Sequence, residues 1–433
     1  MSAGPNGSGP EGYRRSETAN GITVVTERMP AVRSVALGLW VRVGSRDEQA
    51  GEEGLSHFLE HLLFKGTKRF SAIEIGERFD SLGAAVNAAT SKETTHLYAR
   101  FLDEHTEDVF DLLAEMLAGP TFPEIDSERQ VVLEEIAMYE DEPSDRVHDV
   151  FAEALFGSSP LGRRVLGRSE VISGTPVEEI ADYHQRHYRA GDITVAAAGN
   201  LDHDAIAALA ERHLGGIGPS PEHVEPNGAV PRQPARIFYP KETEQYHLVI
   251  GTRGIARADE RRHSLAVLDS ILGGSTSSRL FREVREKRGL AYAIGSYSER
   301  YVDTGLAGIY VGTRPDNVAE VCEVIGNELE SIRAAGVSDE ELSRAKEHVK
   351  GRIVLSAEST SARMARIAQA TIFALPVYTL DEQLALIDAV SRDDVGTLAA
   401  ELYAAERLSA AAVGADEAVL TSALGPVSEA LAA

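Results

Sequence analysis

The sequence predicts an α+β protein of two similar domains, and three observations carry that prediction. Apolar residues alternate with period two over 22–27 and 34–43, as in strands, whereas 106–117 and 317–332 repeat with the period of a helix. The chain mixes both types. At 433 residues it is too long for one average domain, and five of its 17 prolines fall between positions 217 and 235 among Gly and polar residues, the composition of a linker. Finally, the flanking halves echo each other in order. SVALGLWVRVGSRDE is answered by QYHLVIGTRGIARADE, HFLEHLLFKGT by AVLDSILGGST, and ETTHLYARFLDEHTEDVFDLLAEML by TGLAGIYVGTRPDNVAEVCEVIGNEL.

The expected organisation follows directly. Residues 1–20 form a disordered Gly/Ser/Pro-rich tail, 21–216 a first domain, 217–235 a linker and 236–433 a second domain. The tail lacks the apolar core of a signal peptide, and no apolar run approaches the roughly 18 residues needed to cross a bilayer. A cytoplasmic location is therefore expected, with no membrane partner.

A net charge of −25 repels phosphate backbones, which argues against nucleic-acid binding. The single cysteine, Cys322, excludes an intrachain disulfide and a thiolate metal cluster. Any metal must be held by His and carboxylate.

Within GLSHFLEHLLFKGT, His57 and His61 stand one helical turn apart, so both imidazoles can reach one ion. Glu60 shares their face, while Leu59, Leu62 and Leu63 take the rest. A bare His pair is as readily a hydrogen-bonded pair on an apolar helix; the intervening Glu favours a metal. A third ligand is expected from 127–139. There Val131, Val132, Ile136, Met138 and Tyr139 centre on one face at about 100° per residue, with Glu128 and Glu135 in its middle and Glu134 outside. Two carboxylates on a buried face need a positive partner, either a metal or a buried Arg. In the second half Ala266, Asp269 and Ser270 replace His57, Glu60 and His61, so only the first half is expected to be catalytic.

The motif H-x-x-E-H, with Glu135 lying 74 residues after His61 and seven after Glu128, resembles the inverzincin group of zinc peptidases, which includes pitrilysin, insulin-degrading enzyme and mitochondrial processing peptidase. The likeness runs from about Gly21 to Leu408. It implies antiparallel-rich sheets packed on helices and one zinc per chain, held by His57, His61 and Glu135. Glu60 would activate the attacking water, and Glu128 would support the site. Asn87 and Ala88, in LGAAVNAATSKETTHLYARF, match the family's substrate-contacting edge strand, where a peptide adds as a further strand. Read alone, that stretch is a hairpin with a solvent face.

Arg285 and Tyr292, in SSRLFREVREKRGLAY, match a pair seven apart that meets the carbonyl at the scissile bond. Without the resemblance they read as a basic helix end and a core tyrosine. Longer relatives join two such halves into a clamshell, so the resemblance implies a homodimer acting on peptide or unfolded-protein substrates. Some relatives keep the fold as non-catalytic partner subunits, the alternative reading. Gly273 and Gly274 lack the Lys-Ser/Thr of a phosphate loop and are expected to end a helix. His184 and His187 are expected to be structural.

Overall fold

In a computed structural model of the chain, residues 10–220 and 233–432 are described. The first sheet is formed by β1 (Tyr13–Glu17), β2 (Thr23–Arg28), β3 (Ser34–Val41), β4 (Ala85–Thr90), β5 (Thr95–Leu102) and β6 (Ile193–Gly199). Their order is β1-β2-β6-β3-β5-β4, with β2 and β6 parallel and all other neighbours antiparallel. The second sheet is formed by β7 (Arg236–Pro240), β8 (Tyr246–Gly254), β9 (Ala291–Arg300), β10 (Gly305–Thr313) and β11 (Ser409–Gly414). Its order, β7-β11-β8-β10-β9, repeats the first from β2 onward, including the parallel pair. The collinear echo in the sequence is thus a duplicated topology.

Central strand β3 shows why a near-continuous apolar run suits this place. Val35, Leu37, Leu39 and Val41 join the core beneath the site helices. Ala36 and Trp40 point to the opposite face and pack with Met364, Ile367 and Ala368 of the helix Thr360–Ile372. Both faces are covered, so no polar alternation is needed. Gly38 lies under that helix, where a Cβ would come within 2.6 Å of the Trp40 indole nitrogen and 2.9 Å of the Met364 sulfur.

Two helices cross over between the halves. Among the described residues, one compact unit holds 10–136 together with 164–220 and 354–383; the other holds 137–163, 233–353 and 384–432. Glu27 of β2, fully buried, binds Arg363 and Arg366 of the Thr360–Ile372 helix at 2.5 and 2.6 Å. Reciprocally, Val147, Val150, Phe151 and Leu155 of the helix Pro143–Phe156 pack on Val249, Ala411 and Val413 of the second sheet. The units therefore differ from contiguous halves divided at 217–235, a stretch of which 221–232 lies outside the described residues. A cut at the linker would strip each sheet of the helix covering one face.

The expected tail is also shorter than 1–20, because Tyr13–Glu17 pairs with β2 as the sheet's edge. Residues 1–9 lie outside the described residues. No described helix is long and apolar enough to cross a membrane.

Candidate metal centre

The helix Leu55–Leu62 buries Leu55, Phe58, Leu59 and Leu62, the i, i+3, i+4, i+7 stripe of an amphipathic helix. His57, Glu60 and His61 form a second stripe. The helix starts at Gly54, whose φ of 101° is left-handed and whose Cβ would meet the Leu166 carbonyl at 2.8 Å, so a larger residue is excluded there.

Glu135 comes from the helix Ile125–Asp141. Here the expected apolar face needs correction: Val131, Met138 and Tyr139 are exposed, whereas Glu128, Val132 and Ile136 are buried. The buried stripe is narrower and polar-headed. Glu128 and Glu135 nonetheless face the histidine helix. They are seven residues apart, two helical turns, and lie on one side.

The three prospective ligand atoms form a compact triangle. His57 Nε2 lies 3.2 Å from His61 Nε2 and 3.6 Å from Glu135 Oε2, and His61 Nε2 lies 3.2 Å from Glu135 Oε2. Among the described residues this is the one such group of His, Cys, Asp and Glu. Tetrahedral zinc with bonds of about 2.0–2.1 Å holds its ligands about 3.3 Å apart, so the donor set fits that ion. Two imidazole nitrogens turned towards each other next to a carboxylate suit a shared cation better than mutual hydrogen bonding.

The groups of this cluster shift one another's titration. Burial and the neighbouring His61 push His57 down to about 4. Burial lowers His61 too, but hydrogen bonds to Glu135 and Glu128 outweigh it and leave His61 raised. The hydrogen bond to His61 lowers Glu135. Burial raises Glu60, partly offset by Thr90 at the end of β4, which favours its holding a proton.

A second layer supports His61. Its Nδ1 lies 2.9 Å from Glu128, and the Lys65 ammonium is 2.6 Å from the other Glu128 oxygen. Lys65 was not legible as a site residue, although it stands four positions past His61. Burial also raises the Tyr188 phenol, with Glu60 adding to the shift.

Asn87 and Ala88 lie on β4, the edge of the first sheet, with Asn87 exposed and Ala88 buried. Arg285 and Tyr292 come together in the second unit. Arg285 donates to the Tyr292 carbonyl at 3.1 Å, and its guanidinium sits 4.5 Å from the centre of the Tyr292 ring. Tyr292 is 79% exposed, so it is not a core tyrosine. His184 donates from Nε2 to the Leu117 carbonyl oxygen at 2.8 Å.

The second unit keeps a relic of the centre. Asp269, standing where Glu60 stands in the first unit, is half-buried, accepts from Ser298 of edge strand β9 at 2.6 Å and is raised to about 6 by burial. Ser270, at the place of His61, bonds His348 Nδ1 at 3.1 Å. With Ala266 at the third place, no ligand triangle remains. Because the folded state favours neutral Asp269, its contribution is full below about pH 4 and is lost as pH rises through about 6. Asp269→Asn is therefore expected to stabilise the protein at pH 8, by up to about 3 kcal/mol, and to change little near pH 4. Urea unfolding at the two pH values checks this; equal midpoints for variant and parent at pH 8 count against it.

A two-imidazole, one-carboxylate centre on a duplicated α+β fold, with the histidines in H-x-x-E-H order, defines the class of inverted-motif zinc-peptidase folds. Residues 23–169 match the family described as Insulinase (Peptidase family M16), and residues 176–349 match the Peptidase M16 inactive domain. An uncharacterized zinc protease of Streptomyces coelicolor is 41% identical over 398 residues, covering 90% of this chain and 87% of its own. Another, from Bacillus subtilis, is 39% identical over 401 residues, covering 90% and 95%. The fold matches the crystal structure of a protease from Helicobacter pylori with a TM-score of 0.87 at 21% identity, over 93% of this chain and 99% of that one. This chain belongs to peptidase family M16.

Proposed function

We propose that the protein is a zinc-dependent endopeptidase that hydrolyses peptide bonds in unfolded peptides or precursor segments. The observation that carries this reading is the triangle of His57, His61 and Glu135, whose separations suit tetrahedral zinc. A zinc ion held there would polarise a water and the scissile carbonyl. Glu60, beside the histidines on the same helical stripe, takes the proton of the attacking water and returns it to the leaving amine. Glu128 holds the proton on His61 Nδ1 and so keeps its Nε2 free for the ion. A peptide adding along β4 past Asn87 and Ala88 would be gripped through its backbone, and Arg285 with Tyr292 would face the developing oxyanion.

The reading includes a cytoplasmic homodimer with one zinc per chain. A non-catalytic subunit is the weaker alternative, since both histidines, Glu60, Glu135, Arg285 and Tyr292 are all retained. Elemental analysis of purified protein is expected to give about one zinc per chain. Because strand addition needs free backbone groups, flexible casein-like chains should be cut and compact globular domains spared. A zinc-free protein, or equal cleavage of rigid and flexible substrates, would tell against it.

A further inference from the structure

We infer that Glu48 is a positioning residue for the metal centre, acting through the first turn of the histidine helix on His57. The inference rests on the zinc reading above. The two histidines are held differently. His61 has Glu128 on its Nδ1, whereas the Nδ1 of His57 is buried with no hydrogen-bond partner among the described residues. A ligating imidazole ordinarily donates its second nitrogen to an acceptor that fixes the ring. For His57 that task falls to the backbone that carries it.

That backbone has no cap of its own. The helix Leu55–Leu62 opens at Gly54, which has no side chain to accept from the first-turn amides. The buried carboxylate of Glu48, from the loop after β3, supplies both acceptors: Oε2 takes the amide of Gly54 and Oε1 the amide of Ser56, each at 2.9 Å. Ser56 is tied a second time, its hydroxyl lying 2.7 Å from the Tyr183 phenol oxygen. His57 follows immediately. An anion at a helix N-terminus is favourable in itself, but a bidentate clasp also fixes the azimuth of the turn, and with it where the His57 ring points. In a helix of eight residues there is little else to absorb a shift before Glu60 and His61 are reached.

The test uses the full chain loaded with cobalt, whose visible bands report ligand geometry, and chelator competition for zinc. Glu48→Gln keeps the shape but turns an amide NH2 towards a backbone N–H. It is expected to alter the cobalt bands and weaken zinc binding about 10- to 100-fold, the range for lost outer-shell support. Ser71→Ala serves as control, since Ser71 caps the helix Ala72–Ser81 and takes no part in the centre. It should lower the unfolding midpoint and leave both metal readouts alone. Glu48→Asp, which restores the charge with a shorter reach, should recover part of the affinity, and it carries the same test if Glu48→Gln does not fold. Cobalt bands and zinc affinity equal to the parent's in the folded Glu48 variant would overturn the inference. Parent protein that binds neither ion overturns the zinc reading instead.

Discussion

Glu60→Gln is expected to lower kcat by about 10²–10⁴-fold, the usual range for a lost general base, while zinc content stays at that of the parent. Glu60 is placed to move a proton, and the ligand triangle of His57, His61 and Glu135 does not include it. Glu135→Gln should behave in the opposite way. It removes the one charged ligand, so zinc is lost first and activity with it, and added zinc should restore activity only at high concentration. Elemental analysis and peptide hydrolysis on the same three preparations separate the roles. Substantial turnover by Glu60→Gln, or normal zinc in Glu135→Gln, would show that the assignments are wrong.

An all-or-none effect is expected when two dead variants are mixed. If the working unit is a homodimer whose site combines Glu60 of one chain with Arg285 and Tyr292 of another, Glu60→Gln and Arg285→Ala are each inactive alone. Subunit exchange creates mixed dimers with one intact site, taking Glu60 from the Arg285→Ala chain and Arg285 from the Glu60→Gln chain. At equal concentrations half the dimers are mixed and each has one of two sites, so about a quarter of parental activity should return. A mixture shown to exchange subunits and still dead would point to a site within one chain or to a different partner.

Much of the centre was legible because its chemistry is local. The spacing of His57, Glu60 and His61 is a helix rule, and the two-turn separation of Glu128 and Glu135 places them on one side of the helix Ile125–Asp141. What misled was the extent of the apolar face. Val131, Met138 and Tyr139 are apolar and correctly spaced, yet exposed, because periodicity records which residues share a face and not which face meets a neighbour. Glu48 and Lys65 stayed hidden for a related reason. A carboxylate in a loop and a lysine past a helix end are commonplace, and only the folded chain aims one at Gly54 and Ser56 and the other at Glu128.

By itself, then, the sequence determined the periodicities, the duplicated order of strands and helices, and the residue types able to hold a metal, since each depends on neighbours a few positions away or on a repeated pattern. Only the tertiary structure decided that the helix Thr360–Ile372 covers the first sheet and Pro143–Phe156 the second. Either helix has an apolar stripe that any apolar sheet face could accept. The choice turned on long-range complementarity, with Arg363 and Arg366 reaching a buried Glu27 and Met364 resting over Gly38, and such pairings between positions more than 300 residues apart leave no periodic trace along the chain.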